Sequence, residues 1–246
     1  MSLNDVSLII TAGGRPGYLK ELLNGVIKYL PETTTIVVND DDKDSSWFNL
    51  PQKAIWKQTE PDTFLTRKRN LAVQLIDTKY ALLLADDFEI TTDTRATVIR
   101  MVNFLDTYPY IDVVAGTVND RRYEGRLEVK EGEYIREHQL EYDHQFLYKV
   151  DIAVNFFLAR TEVLRDVPWD ERIGPIGGEH ADWFLDMKAA DKTVVWTPGL
   201  NIYEQPKDRS MEDESYRARR HRALNGHILM LAKRGVKRYI SFGEQP

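Results

Sequence analysis

Asp86 and Asp87 stand side by side after the apolar residues Ala81 to Leu84 and before Phe88. Two carboxylates emerging from a buried strand have little freedom to separate, and their repulsion raises one pKa unless a cation lies between them. A hard divalent ion, Mg²⁺ or Mn²⁺, relieves that repulsion and can tie the protein to diphosphate oxygens. The structural alternative is a helix N-cap for the threonine-rich segment that follows. A second acidic group, Asp40-Asp41-Asp42, follows the β-branched run Thr34 to Val38 and Asn39. It reads either as a polar turn or as hydrogen-bond acceptors for a base or ribose at a strand end. Arg67-Lys68-Arg69-Asn70 brings cations close to the first pair, either as an exposed helix patch or as charge for a departing diphosphate. Finally, Gly177-Gly178-Glu179-His180-Ala181-Asp182 sets Glu179 and Asp182 one helical turn apart at a helix start, beside glycines that let a substrate approach. One of them could act as a general base; both could equally complement the helix dipole.

The elements that must hold these groups alternate in period. Val6 to Thr11 reads as a buried strand ending at Ala12-Gly13-Gly14, and Leu19, Leu22, Leu23, Val26, Ile27 and Leu30 recur at helical spacing after Pro16. Strands over Thr34 to Val38, Ala54 to Lys57 and Tyr80 to Leu84 alternate with a helix over Leu65 to Ile76. Such alternation implies right-handed crossovers and a mainly parallel sheet, with ligands gathered at the carboxyl ends of its strands, where both acidic groups fall. A helix near Thr94 to Thr107 precedes an antiparallel texture: Ile111 to Val118, Leu127 to Lys130, Tyr134 to Arg136 and Tyr148 to Leu158, with Glu131-Gly132 as a turn. A strand over Val194 to Thr197 and a helix over Tyr216 to Arg234 close the reading.

At 246 residues with no repeat and no linker, the chain reads as one domain with enough apolar residues for a real core. No apolar run is long enough for a membrane span, and Met1 to Asp5 lack the layout of a secretion signal. The absence of cysteine excludes disulfides and thiolate metal sites, and fits a reducing, cytoplasmic setting. A net charge of −6 argues against nucleic-acid binding. Against that background Arg217, Arg219, Arg220, Arg222, Lys233, Arg234, Lys237 and Arg238 form a C-terminal basic cluster. It is either a solvated helix face or an end that meets phosphate or anionic lipid, so peripheral membrane contact is one expectation.

In order, VSLIITAGGRPGYLKELLNG, TTIVVNDDDKDS, RKRNLAV and ALLLADDFEIT resemble the opening strand and helix, the "VVDDGS" segment, the "ARNxG" segment and the DxD strand of glycosyltransferase family 2 and its GT-A relatives. VDIAVNFFLART with GGEHADWFLD is similar to the acceptor side of β-1,4-N-acetylgalactosaminyltransferases. The resemblance implies an α/β GT-A fold over residues 1–246: a Rossmann-like nucleotide-binding half over about 1–110, a mixed or antiparallel acceptor half over about 111–205, and a helical segment over about 206–246. It implies a nucleoside diphosphate sugar donor, with uridine as base, a glycan or other hydroxyl acceptor, Mn²⁺ or Mg²⁺, and inversion in one displacement. Thr11 and Asp40 would hold the nucleoside, Arg15 and Arg67 or Arg69 the donor's diphosphate side, Asp87 the metal, and Asp86 ribose or metal. Glu179 would be the base, with Asp182 second, and Gly178, His180 and Trp183 would lie on the acceptor side. Two departures stand out. Ala85 occupies the usual place of the first DxD aspartate, and His180 that of the customary aspartate base. Glu204 is a weaker metal candidate. The rival readings are a sugar-phosphate nucleotidyltransferase and a sugar-nucleotide or glycan-binding protein without turnover.

Overall fold

The computed structural model describes residues 2–41, 43–174 and 176–243, so Asp42 and Pro175 lie outside it, as do the side chains of Arg219 and Arg220. The first half follows the expected alternation: β1 (Val6–Ala12), α1 (Pro16–Tyr29), β2 (Thr34–Asn39), β3 (Ala54–Gln58), α2 (Leu65–Gln74), β4 (Tyr80–Ala85), β5 (Phe88–Glu89) and α3 (Thr92–Thr107). The second half contains β6 (Val113–Val118), β7 (Gly125–Lys130), β8 (Tyr134–Gln139), β9 (Tyr148–Val150), β10 (Phe157–Arg160), α4 (Thr161–Asp166), α5 (Glu179–Ala189), β11 (Val194–Glu204), α6 (Glu214–His221), α7 (Ala223–Arg234) and β12 (Arg238–Ile240).

The main sheet runs β3-β2-β1-β4-β10-β6-β11-β5, with β9 beside β11. Its first four strands are mutually parallel, β10 runs antiparallel to both β4 and β6, and β6 and β11 are parallel again. Strands covered on both faces need no polar alternation, which explains the unbroken apolar runs of β1 and β4. Leu8, Ile10, Leu82 and Leu84 point to the side covered by Leu19, Leu22 and Leu23 of α1 and Val98, Met101 and Leu105 of α3. Ile9, Ala81 and Leu83 point to the other, covered by Ala72 and Val73 of α2 and Trp183, Phe184 and Met187 of α5. The register sets Ala12 beside Asn39 and Thr11 beside Ala85, so β1, β2 and β4 end on one edge. Asp40 and Asp86, each one residue past its strand, share that edge.

Several boundaries differ from the sequence reading. The run Tyr148 to Leu158 is two strands, because Asp151 turns away to pair with Lys188 and to accept from Leu127 N at 3.0 Å. The single C-terminal helix is broken at Arg222, whose guanidinium reaches Asp62 at 2.8 Å. A strand, β12, adds to β8 in a small three-stranded sheet with β7. The N-cap alternative for Asp86 and Asp87 does not hold: Thr91 caps α3, with Thr94 returning the bond to the Thr91 backbone. Among the described residues no helix is long and apolar enough to cross a membrane.

Candidate active site

Lys68 joins the carboxyl ends of β1 and β2. Its ammonium lies 2.8 Å from the Ala12 carbonyl and 3.1 Å from Asp40 Oδ1, all three buried. Asp41 does two jobs: Oδ1 accepts from Lys43 N at 3.2 Å, closing the polar turn, and Oδ2 accepts from Gly14 N at 3.0 Å, fixing the loop after β1. Thr11 lies on β1 between Val38 and Ala85. Arg67, an expected diphosphate contact, is exposed on the outer face of α2, whereas Lys68 and Arg69 share the buried face with Ala72 and Val73. The 4-residue spacing Lys68–Ala72 and Arg69–Val73 carried that signal in the sequence; Lys68 was the residue missed.

Arg15 precedes Pro16 at the start of α1 and reaches across the edge to both acidic residues after β4. Its Nη1 lies 2.5 Å from Asp87 Oδ2, its Nη2 bonds Asp86 Oδ1, and the Tyr216 ring of α6 covers the guanidinium at 4.5 Å. Burial alone would lower the Arg15 pKa, but the charges of Asp86 and Asp87 raise it well above its ordinary value. Burial pushes the Asp86 carboxyl up, against the opposing pull of Arg15. Asp86 is almost fully enclosed while the Asp87 side chain is 22% exposed, so Asp87 is the oxygen donor that faces outward. These carboxylates suit a hard divalent ion that takes its remaining ligands from diphosphate and water. Among the described residues no group of three or more His, Cys, Asp or Glu forms a cage. Glu204 pairs with Phe88, next to Asp87, but Asn119 holds its Oε2 at 2.6 Å.

Glu179 opens α5 after Gly178, which sits in the left-handed region at φ +79°. The Glu179 side chain is buried and its Oε2 has no hydrogen-bond partner. Arg69, also buried, lies over the Trp169 ring at 5.4 Å with Nε and Nη1 unpartnered. Burial lowers the Arg69 pKa and the Glu179 charge opposes that fall, so the two groups are near enough to interact. His180 bonds the Ala153 carbonyl through Nε2 at 2.5 Å; since a carbonyl only accepts, that nitrogen carries the proton. Burial, reinforced by Arg69, pulls the His180 pKa down to about 4, leaving a neutral ring near pH 7. Asn155, not singled out in the sequence, adds another buried and unpartnered oxygen in the loop that holds His180.

Three acceptor-side expectations need correction. Asp182 faces α7: Lys233 Nζ lies 2.7 Å from Oδ2 and Arg234 Nη2 2.6 Å from Oδ1, so both carboxylate oxygens are engaged. Trp183 is buried in the core, stacked between Phe157 and Trp169, with its indole N–H donating to the Val167 carbonyl at 2.8 Å. The space beside Gly178 belongs to α7 rather than to substrate, because a Cβ there would lie 2.9 Å from the Gly226 carbonyl oxygen. Of the C-terminal basic cluster, Lys233 and Arg234 are drawn inward to Asp182, while Arg222 pairs with Asp62 at the surface.

The arrangement gathers a carboxylate pair with Arg15, and Asp40 with Lys68, at the carboxyl ends of β1, β2 and β4, while Glu179 at the start of α5 lies within the electrostatic reach of Arg69. Consecutive residues of α2 have different partners: Lys68 meets Ala12 and Asp40, and Arg69 lies over Trp169. No family model matches the chain. Among solved structures it is similar to GalNAc-T7 with UDP, GalNAc and Mn²⁺, at TM-score 0.64 and 13% identity over 82% of this chain and 43% of that one. It is also similar to S. aureus TarS 1–349 in complex with UDP-GlcNAc, at TM-score 0.59 and 15% identity over 85% of this chain and 59% of that one. The chain has the GT-A fold. Homologues of this GT-A chain are β-1,4-N-acetylgalactosaminyltransferases. Mouse (Mus musculus) β-1,4 N-acetylgalactosaminyltransferase 2 is 32% identical over 215 residues, 79% of this chain and 39% of that protein. Human (Homo sapiens) β-1,4 N-acetylgalactosaminyltransferase 1 is 30% identical over 187 residues, 68% of this chain and 33% of that protein. The GT-A chain thus spans well under half the length of these curated relatives.

Proposed function

We propose that the chain is an inverting glycosyltransferase that moves a hexosyl or N-acetylhexosaminyl group from a UDP-linked donor to a hydroxyl acceptor. The observation that carries this reading is the buried Glu179 oxygen without a partner, in a chain whose strand-end edge gathers Asp40, Lys68, Arg15, Asp86 and Asp87. Thr11 and Asp40 sit where a nucleoside would meet the ends of β1 and β2. A divalent cation at Asp87 and Asp86 would supply charge neutralisation to the diphosphate. Arg15, by its place beside that pair, adds a bidentate donor for phosphate oxygens.

The acceptor hydroxyl oxygen attacks the anomeric carbon from the face opposite the diphosphate. The new C–O bond forms as the old one breaks, the bonding pair leaves with the diphosphate oxygen, and the hydroxyl proton passes to Glu179 Oε2. Arg69, whose charge interacts with that of Glu179, would help hold the carboxylate in place. Asp182 has no part in the step because its oxygens hold α7.

Calorimetric titration of UDP and several UDP-sugars with and without Mn²⁺ tests the donor half. Binding of a UDP species that needs the metal and vanishes in Asp87→Ala is expected; no nucleotide binding under any metal overturns the reading. For the base, Glu179→Gln should keep donor affinity while transfer falls about 100- to 10,000-fold. Equal loss of both would assign Glu179 to binding instead.

A further inference from the structure

The Asp86–Asp87 pair has a cation of its own, attached to the protein. The Arg15 backbone is held on several sides: Gly14 N donates to Asp41 Oδ2 at 3.0 Å, Asp213 N donates to the Gly14 carbonyl at 2.8 Å, and Leu19 N donates to the Arg15 carbonyl at 3.1 Å. Tyr216 packs closely over Gly14, where an added Cβ would lie 2.7 Å from the Tyr216 Cβ. What can move is the side chain, which is long, rotatable and anchored at the mouth of the site. Its guanidinium bridges both carboxylates, yet its buried Nε has no partner, so the present contacts do not exhaust its donors.

The charges decide what may bind. One guanidinium against two carboxylates leaves one negative charge. A divalent cation arriving alone must displace Arg15 and strand a guanidinium in a confined place beside it. A diphosphate arriving alone meets two carboxylates and an arginine already engaged. If both arrive, the cation takes the carboxylates and shares the diphosphate oxygens, Arg15 turns to the diphosphate, and neither cation nor carboxylate is left without an opposite charge.

We propose that Arg15 is a positioning residue that makes cation and nucleotide bind as a pair, holding Asp86 and Asp87 in the free protein and passing to the diphosphate when a divalent ion takes its place. This rests on the donor site proposed above. Coupling between two ligands is reciprocal: UDP must tighten Mn²⁺ binding by the same factor as Mn²⁺ tightens UDP, and couplings of this kind usually lie at about 5- to 150-fold.

The test is Mn²⁺ binding by paramagnetic resonance and UDP binding by calorimetry, each alone and together, in the wild type, Arg15→Ala and Arg15→Lys. Arg15→Ala should bind Mn²⁺ alone more tightly than the wild type, by about tenfold, while binding UDP in the presence of Mn²⁺ more weakly, so that the coupling factor falls toward one. Arg15→Lys, whose ammonium cannot span both carboxylates as a planar fork does, should also bind Mn²⁺ alone more tightly and keeps the test open if the alanine variant does not fold. Unchanged Mn²⁺ affinity in both variants, with UDP still binding in a metal-dependent way, overturns the role of Arg15 and leaves the donor site standing. Failure of UDP and Mn²⁺ to bind any of the three proteins takes down both.

Discussion

At the scale of single residues, the site is defined by groups with unmet valences. Glu179 Oε2 and two nitrogens of Arg69 are buried without partners, whereas the buried carboxylates of Asp40, Asp86 and Asp182 have cations against them and Glu137 is held by Tyr123 and Tyr239. His180 shows how the surroundings tune one ring. Its folded pKa of about 4 lies below the ordinary 6.5, so the unfolded chain binds the extra proton first as pH falls. The stability it contributes is therefore complete above pH 6.5 and lost as pH drops toward 4, amounting to about 3 kcal/mol. Urea denaturation of wild type and His180→Gln across that window should show a shallower decline in the variant. Equal slopes would mean the ring is not held neutral. Glutamine can still donate to the Ala153 carbonyl, which separates the proton effect from loss of the bond.

At the scale of elements, α5 and α7 form a clamp. Asp182 and Asp186 of α5 take Lys233 and Arg234 of α7, and the glycine loop ahead of α5 lies flat against Gly226. A Cβ on Gly226 would come within 2.0 Å of the Gly177 carbonyl oxygen. Gly226→Ala should push α7 off the loop, move Glu179, and reduce transfer at least tenfold with little change in UDP affinity. A matching fall in UDP affinity would show that the two sides of the site are not separable. This clamp also marks where sequence reading stopped. The strands carrying Asp40 and Asp86 were legible because apolar runs followed by acidic residues are local patterns, and the structure places them as read. The partner of Asp182 lies 51 and 52 positions away, and nothing near GGEHADW announces it. Trp183 likewise looked available in sequence, while its burial is set by Phe157 and Trp169 on other elements. Strand β12 escaped because three residues in a charged tail pair only with β8. Lys68 and Arg69, by contrast, were readable from helical spacing alone.

At the scale of the whole molecule, the chain closes on itself around the edge that carries Arg15, Asp86 and Asp87. Gln205 reaches the Tyr18 and Phe88 carbonyls at 3.0 Å each, Tyr18 OH accepts from Asp208 N at 2.7 Å, and Asp213 N meets Gly14 at 2.8 Å. Groups at the start of the chain are thus roofed by residues near its end. A ligand bound there should stabilise both together: with UDP and Mn²⁺ at a hundred times the dissociation constant, stability should rise by about 2.7 kcal/mol. Hydrogen exchange should then slow at Asp213 as well as along β1. Protection confined to β1 would mean that the closing segment opens independently of the ligand.

The order of strands across the main sheet bears on how the protein lives in a crowded solution. At one margin β5 has only two residues, too short to template another chain. At the other, β3 pairs only with β2 among the described strands, leaving its outer row of amides and carbonyls to water. That margin is five residues long and carries Lys57, with Lys53 just before it, so a second chain aligning there would bring lysine against lysine. The broad sheet that gathers Asp40, Asp86 and Asp87 at one edge therefore ends on both sides in a form that resists edge-to-edge aggregation.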